Sequence, residues 1–164
     1  QKTAAKPQPD EQEPQQKDSA KDKRERMSLG QKIARLSVSE RVQLALKGSR
    51  EERMILVRDP AKVVYRAALS SPRMNESDAE AIAVLKNVAD EVPRLLAANR
   101  AYIKNYVMVR NLLNNPRTPI DVSLPLLTRL TERDLKILGM NRNIPDTVRA
   151  MAVKLMKKRA MARR

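Results

Sequence analysis

Carboxylates and cations are the side chains of this sequence that could do chemistry. There is no His and no Cys, so the commonest general base and the strongest nucleophile are missing. Thiolate metal ligation and disulfide bonding are excluded with them. No Ser or Thr stands in a nucleophile-elbow pattern, and three glycines, Gly30, Gly48 and Gly139, cannot build a Gly-rich phosphate loop. The aspartates of the apolar-patterned region are Asp59, Asp78, Asp90, Asp121, Asp134 and Asp146. Four of them fall at or within the first turn of a predicted helix, where Asp caps the chain or answers the helix dipole. The expectation is a non-enzymatic protein with no catalytic, cofactor or metal site and no small-molecule substrate.

The cations are the stronger signal. Net charge is +15, where a small soluble domain carries about 2–8. Residues 1–26 hold seven basic and six acidic side chains, so the excess belongs to residues 27–164. After Asp146 no acidic residue follows, while Arg149, Lys154, Lys157, Lys158, Arg159, Arg163 and Arg164 do. Two further sets are ordered by a repeat. Arg53-Met-Ile-Leu-Val-Arg-Asp59, Arg94-Leu-Leu-Ala-Ala-Asn-Arg100 and Lys136-Ile-Leu-Gly-Met-Asn-Arg142 begin 41 and 42 residues apart, and Leu69-Ser-Ser-Pro-Arg73 and Leu113-Asn-Asn-Pro-Arg117 are 44 apart. On this period Arg53, Arg94 and Lys136 share one position, and Arg66, Arg110 and Arg149 align as a second set with a gap of three in the middle copy. Equivalent side chains in a stack form a ladder spaced by about 8–10 Å or more, either a phosphate-binding face or an ordinary solvated one. Arg100 and Arg142 follow Asn in tight corners and are expected to bond carbonyls left free at helix ends.

The elements that must carry these residues read as short helices. Residues 1–26 are rich in Gln, Lys, Pro, Asp and Glu with almost nothing to bury, and are expected to be a disordered arm. From residue 27 to 164 the pattern is helical. Ser37-Val-Ser-Glu40 is a capping box, and Gly48 marks the following stop. Further helices are predicted at about 51–58, 61–70, 76–87, 90–98, 102–114, 119–130, 132–140 and 146–160, with Thr118 as an N-cap ahead of Pro119. With Phe and Trp absent and three Tyr, the core must be aliphatic, which suits close helix packing better than a sheet. The eight Met are expected as core filler, with Met151 and Met156 beside Leu155 as the alternative, an open apolar end. Helices of 8–12 residues are unstable alone, so they must stack.

Asn115-Pro-Arg-Thr-Pro119, Leu126-Leu127, Leu130, Asp134-Leu135 and Asn141-Arg142 resemble the bacterial leucine-rich-repeat-variant and HEAT-like α-helical repeat families. The resemblance implies a right-handed α-solenoid, HEAT/armadillo-like, here of three repeats of about 42 residues. DNA-glycosylase members of the HEAT-like class work with a carboxylate, but they would want aromatic walls for an extruded base, and Trp and Phe are missing. The iron–sulfur segment of some variant-repeat proteins needs Cys and does not carry over.

The sequence thus predicts an all-α repeat protein binding a polyanion, most readily nucleic acid or a ribonucleoprotein through phosphates, by Arg53, Arg94, Lys136, Arg66, Arg110, Arg149, Lys154, Lys157, Lys158 and Arg159. The alternative is a scaffold for an acidic or helical protein segment. Membrane attachment is disfavoured by a tail with few bulky apolar residues. The expected compartment is the cytoplasm, although the chain opens on Gln1 rather than Met, as a fragment or processed chain would.

Overall fold

The computed structural model describes residues 28–163, all of whose regular structure is helical. The expected arm at 1–26 lies outside the described residues. The chain divides into a unit ending at Leu36 and a compact unit from Ser37 to Arg164. In the first, α1 spans 28–34.

The second unit opens with α2 (Val38–Lys47), capped by the Ser37–Glu40 box and closed at Gly48 as the sequence predicts. It continues with α3 (Arg50–Leu56), α4 (Lys62–Leu69), α5 (Glu76–Ala83), α6 (Glu91–Ala98), the single turn α7 (Arg100–Ile103), α8 (Tyr106–Leu113), α9 (Ile120–Leu127), α10 (Glu132–Met140) and α11 (Asp146–Ala162). Two helix types alternate. The first helices, α3, α5, α8 and α10, each start on a side-chain cap: Ser49, Asn75, Asn105 and Thr131 accept from the amides of Glu52, Asp78, Val107 and Asp134. The second helices, α4, α6, α9 and α11, have no side-chain cap and follow Ala61, Asp90, Pro119 and Pro145. Caps of one type recur every 26–30 residues.

This spacing corrects the 42-residue reading. A step of 42 is about one and a half of the observed units, so it lands alternately on first and second helices. Arg53, Arg94 and Lys136 stand on α3, α6 and α10, and Arg66, Arg110 and Arg149 on α4, α8 and α11. Neither set occupies equivalent positions, because both helix types carry the same basic–apolar–polar signature. The predicted helix at 102–114 is broken as well: Asn105 takes extended backbone and caps α8. The predicted 76–87 stops at Ala83, where the Asn115 amide, 3% exposed, reaches back to the carbonyls of Ala83 and Leu85 at 2.7 and 2.8 Å.

The core is aliphatic: Leu56, Val64, Ile82, Val92, Leu112, Leu135, Leu138 and Val148 are buried, each worth about 1.5–3 kcal/mol relative to exposure. α2 packs on α3 and α4, α4 on α6, α5 on α8, α8 on α9, and α11 on both α9 and α10. Met108 alone of the described methionines is fully buried; Met54, Met74 and Met156 are half-buried, and Met140, Met151 and Met161 are exposed and so are not core filler. Among the described residues no helix is long and apolar enough to cross a membrane.

Candidate anion-binding surface

Five of the ten predicted cations are engaged inside the fold. Arg53 is 4% exposed; its guanidinium donates to Asp78 Oδ2 at 2.7 Å and to the carbonyls of Gly48 and Arg73 at 3.0 and 3.2 Å. It braces α3, α5 and the turn between α4 and α5, and it cannot reach a phosphate. Arg66 pairs with Glu91 across α4 and α6, and Tyr65 donates to the same carboxylate at 2.5 Å. These two hydrogen bonds, Arg66 first, hold the Glu91 carboxyl down at about 2. Arg94 grips Asp121 of α9 with both terminal nitrogens, at 2.6 and 3.0 Å. That bond lowers the Asp121 carboxyl and raises the Arg94 guanidinium. Arg149 pairs with Asp146 within α11, and Arg159 donates to the carbonyls of Leu130 and Thr128, both at 2.6 Å.

The other five, Arg110, Lys136, Lys154, Lys157 and Lys158, are exposed, and among the described residues their side chains form no ion pair or hydrogen bond. The structure gathers three of them. Lys154, Lys157 and Lys158 line an open groove of about 900 Å³ on the α10–α11 face, beside Arg149. Its floor is apolar: Ala150, Val153 and Met161 of α11, and Gly139 of α10. Gly139 is needed there, because a Cβ would stand 2.8 Å from Val153 Cγ2. Asp146 is the one acid of the lining, and it is matched by Arg149. Arg110 and Lys136 are not part of the groove.

All six aspartates are occupied as partners. Arg41 holds Asp59 at 2.5 Å, Arg117 approaches Asp90 at 3.5 Å, and Tyr106 donates to Asp134, besides the pairs already named at Asp78, Asp121 and Asp146. Among the described residues no acidic cluster could hold a metal ion.

Sequence reasoning missed most of the ties between successive helix pairs. Asn105 reaches Glu80, Asn141 reaches Asn114, Arg129 the carbonyls of Ile103 and Lys104, and Arg117 that of Lys86. Arg100 and Arg142, expected to bond carbonyls at helix ends, make no such bond among the described residues; Arg53, Arg117, Arg129 and Arg159 reach backbone carbonyls instead. The separations were the available signal, since these partners stand 25 to 31 residues apart. Thr118 is also reassigned: it is 3% exposed and donates to the Leu112 carbonyl at 2.6 Å, so it closes α8 rather than capping α9.

No protein-family model, curated protein or solved structure matches this chain.

Proposed function

We propose that this chain is a non-enzymatic α-solenoid module built of helix pairs, and that it binds an acidic protein partner on its α10–α11 face. The observation that carries the reading is the groove in which Lys154, Lys157 and Lys158 stand, among the described residues, without an ion-pair partner over an apolar floor. A polyanion gripped by a ladder of cations along the stack has less support, since Arg53, Arg66 and Arg94 already hold Asp78, Glu91 and Asp121. Nucleic acid on the same three lysines is the second reading, favoured by the absence of any acid after Asp146. The floor weighs against it: a phosphate backbone leaves Val153 and Met161 wet, whereas a protein segment removes them from water at about 25 cal/mol per Å².

The test compares wild type with Lys154→Gln/Lys157→Gln/Lys158→Gln, and with Arg110→Gln/Lys136→Gln as the control for exposed cations elsewhere. Binding to polyglutamate and to duplex DNA is measured at two salt concentrations. The groove variant should lose at least tenfold of its polyglutamate affinity while the control loses little. Equal losses in both variants would mean that net charge, not this face, does the binding. A steep salt dependence on duplex DNA that only the groove variant flattens would move the reading to nucleic acid.

A further inference from the structure

We infer that the α10–α11 groove docks an acidic amphipathic helix of a partner protein, lying along α11 in coiled-coil-like register. The inference rests on the proposed acidic-partner reading and specifies the shape of that partner. Three features carry it.

The first is register. Ala150, Val153, Lys157 and Met161 line the groove, and their spacings of three, four and four residues make an eleven-residue step, which keeps the side chains on one nearly straight seam along an α-helix. Lys154 and Lys158 follow Val153 and Lys157 by one residue each, and so flank that seam on one side. A seam of this kind accepts knobs from a facing helix rather than an extended chain.

The second is length. α11 has 17 residues and α10 only nine, and of α10 only Gly139 lines the groove. The lining from Asp146 to Met161 therefore runs about 22 Å along α11 by helical rise, enough for a facing helix of about four turns. Along that length no other described helix supplies lining residues.

The third is charge. Lys157 stands within the seam itself, where a facing apolar residue would bury an unpaired ammonium. Lys154 and Lys158 are also four residues apart on one helix, an arrangement that destabilises a helix through like-charge repulsion. The helix dipole compensates cations only in the last turn, and Lys154 lies before it. A partner with Glu or Asp opposite Lys157 and along the flank supplies the missing counter-charge. A second copy of this chain would instead bring the same lysines against themselves.

The probe is a designed helical peptide of about 20 residues with Leu at seam positions spaced three, four and four, Glu on the flanks and one central seam Glu. Its controls are a scrambled peptide of equal composition and a duplex DNA. The full chain should bind the designed peptide at least tenfold more tightly than the scrambled one. Lys157→Glu, an exposed change that should leave the melting temperature almost unmoved, should lose at least tenfold. Changing the central Glu of the peptide to Lys should restore that loss on the Lys157→Glu chain. Equal binding of designed and scrambled peptides overturns the helix inference while leaving an acidic-partner reading intact. Tighter, lysine-dependent binding of the duplex overturns it in favour of nucleic acid. Failure of all three ligands to bind removes the acidic-partner reading along with it.

Discussion

Removing the Asp78 carboxylate tests the side-chain brace between α3 and α5. Arg53 and Asp78 are both almost fully buried, at 5% and 2% side-chain exposure. Asp78→Ala leaves the guanidinium with two carbonyl partners and no counter-ion, because its one acidic contact is Asp78. An uncompensated buried charge costs about 3–5 kcal/mol, about a fifth or more of the roughly 5–15 kcal/mol of a typical domain. For a unit of this size the melting temperature should fall by about 10–20 °C. The reverse change, Arg53→Met, should cost less, about 1–3 kcal/mol. Arg50 Nε still lies 2.7 Å from Asp78 Oδ1 and is 57% exposed, so the carboxylate keeps a hydrated counter-ion. That contact is Coulombic only: Oδ1 has no aligned hydrogen bond. The double variant should cost less than the two single changes added together, since each single change exposes a penalty that the other removes. The assay is urea unfolding followed by far-ultraviolet circular dichroism, as the chain has no Trp to report by fluorescence. The reasoning fails if Asp78→Ala unfolds within about 0.5 kcal/mol of wild type, or if the single costs simply add.

Two further changes test the ties between helices. Thr118→Val keeps the shape of a buried side chain but deletes its bond to the Leu112 carbonyl, which still accepts from the Asn115 amide; a loss of about 1 kcal/mol is expected on unfolding, and an unchanged midpoint would show that this bond does not hold the end of α8. For Glu91 the expected effect follows pH: its carboxyl is held down at about 2 against a usual value of 4.5, so its contribution to stability is fully present above the usual value and is lost as pH falls toward 2. The melting-temperature gap between wild type and Glu91→Gln should therefore be constant from neutral pH to about 5, narrow below it and close near 2; a gap that persists at pH 2 would show that the Arg66 and Tyr65 bonds do not depend on the charge.

Features that depend on neighbours three or four residues away were legible in the chain. The Ser37 box and the Gly48 stop are local and stand where the pattern puts them. Ser49-Arg-Glu-Glu52 is a second complete box of the same form, and it starts α3 at Arg50, one residue before the predicted 51. What failed was the assignment of equivalent positions by the period, together with the local ends at Thr118, Asn105 and Ala83. An apparent repeat of 42 residues joined first helices to second helices, and every inference from equivalence inherited the error. One correction was available on the helical wheel: Arg53, Leu56 and Val57 lie at positions i, i+3 and i+4, on one stripe, and all three are buried. The groove was partly legible as an unbroken run of cations after Asp146, but its apolar floor needed the fold, since Gly139 reaches it from another helix.

The division of labour between the two kinds of cation explains why net charge alone was a poor guide to the site. The ties between successive helix pairs are made by Arg41, Arg53, Arg66, Arg94, Arg117, Arg129 and Arg159. A planar guanidinium can hold two acceptors at once and is weakly hydrated, so it suits a half-buried joint between short helices. Arg53, Arg94, Arg129 and Arg159 each use that fork on two or more acceptors. Among the described residues lysine enters such a tie only at Lys62, 3.5 Å from a carboxylate that Arg66 already holds. Such joints matter here because a core of Leu, Val, Ile and Ala with few aromatic anchors specifies register weakly between repeated helices. Much of the arginine charge is therefore a structural consequence of building from short aliphatic helices, and it would be present whatever the partner. The lysines without structural duty are the informative ones, and three of them stand together on α11 over the groove's exposed apolar floor.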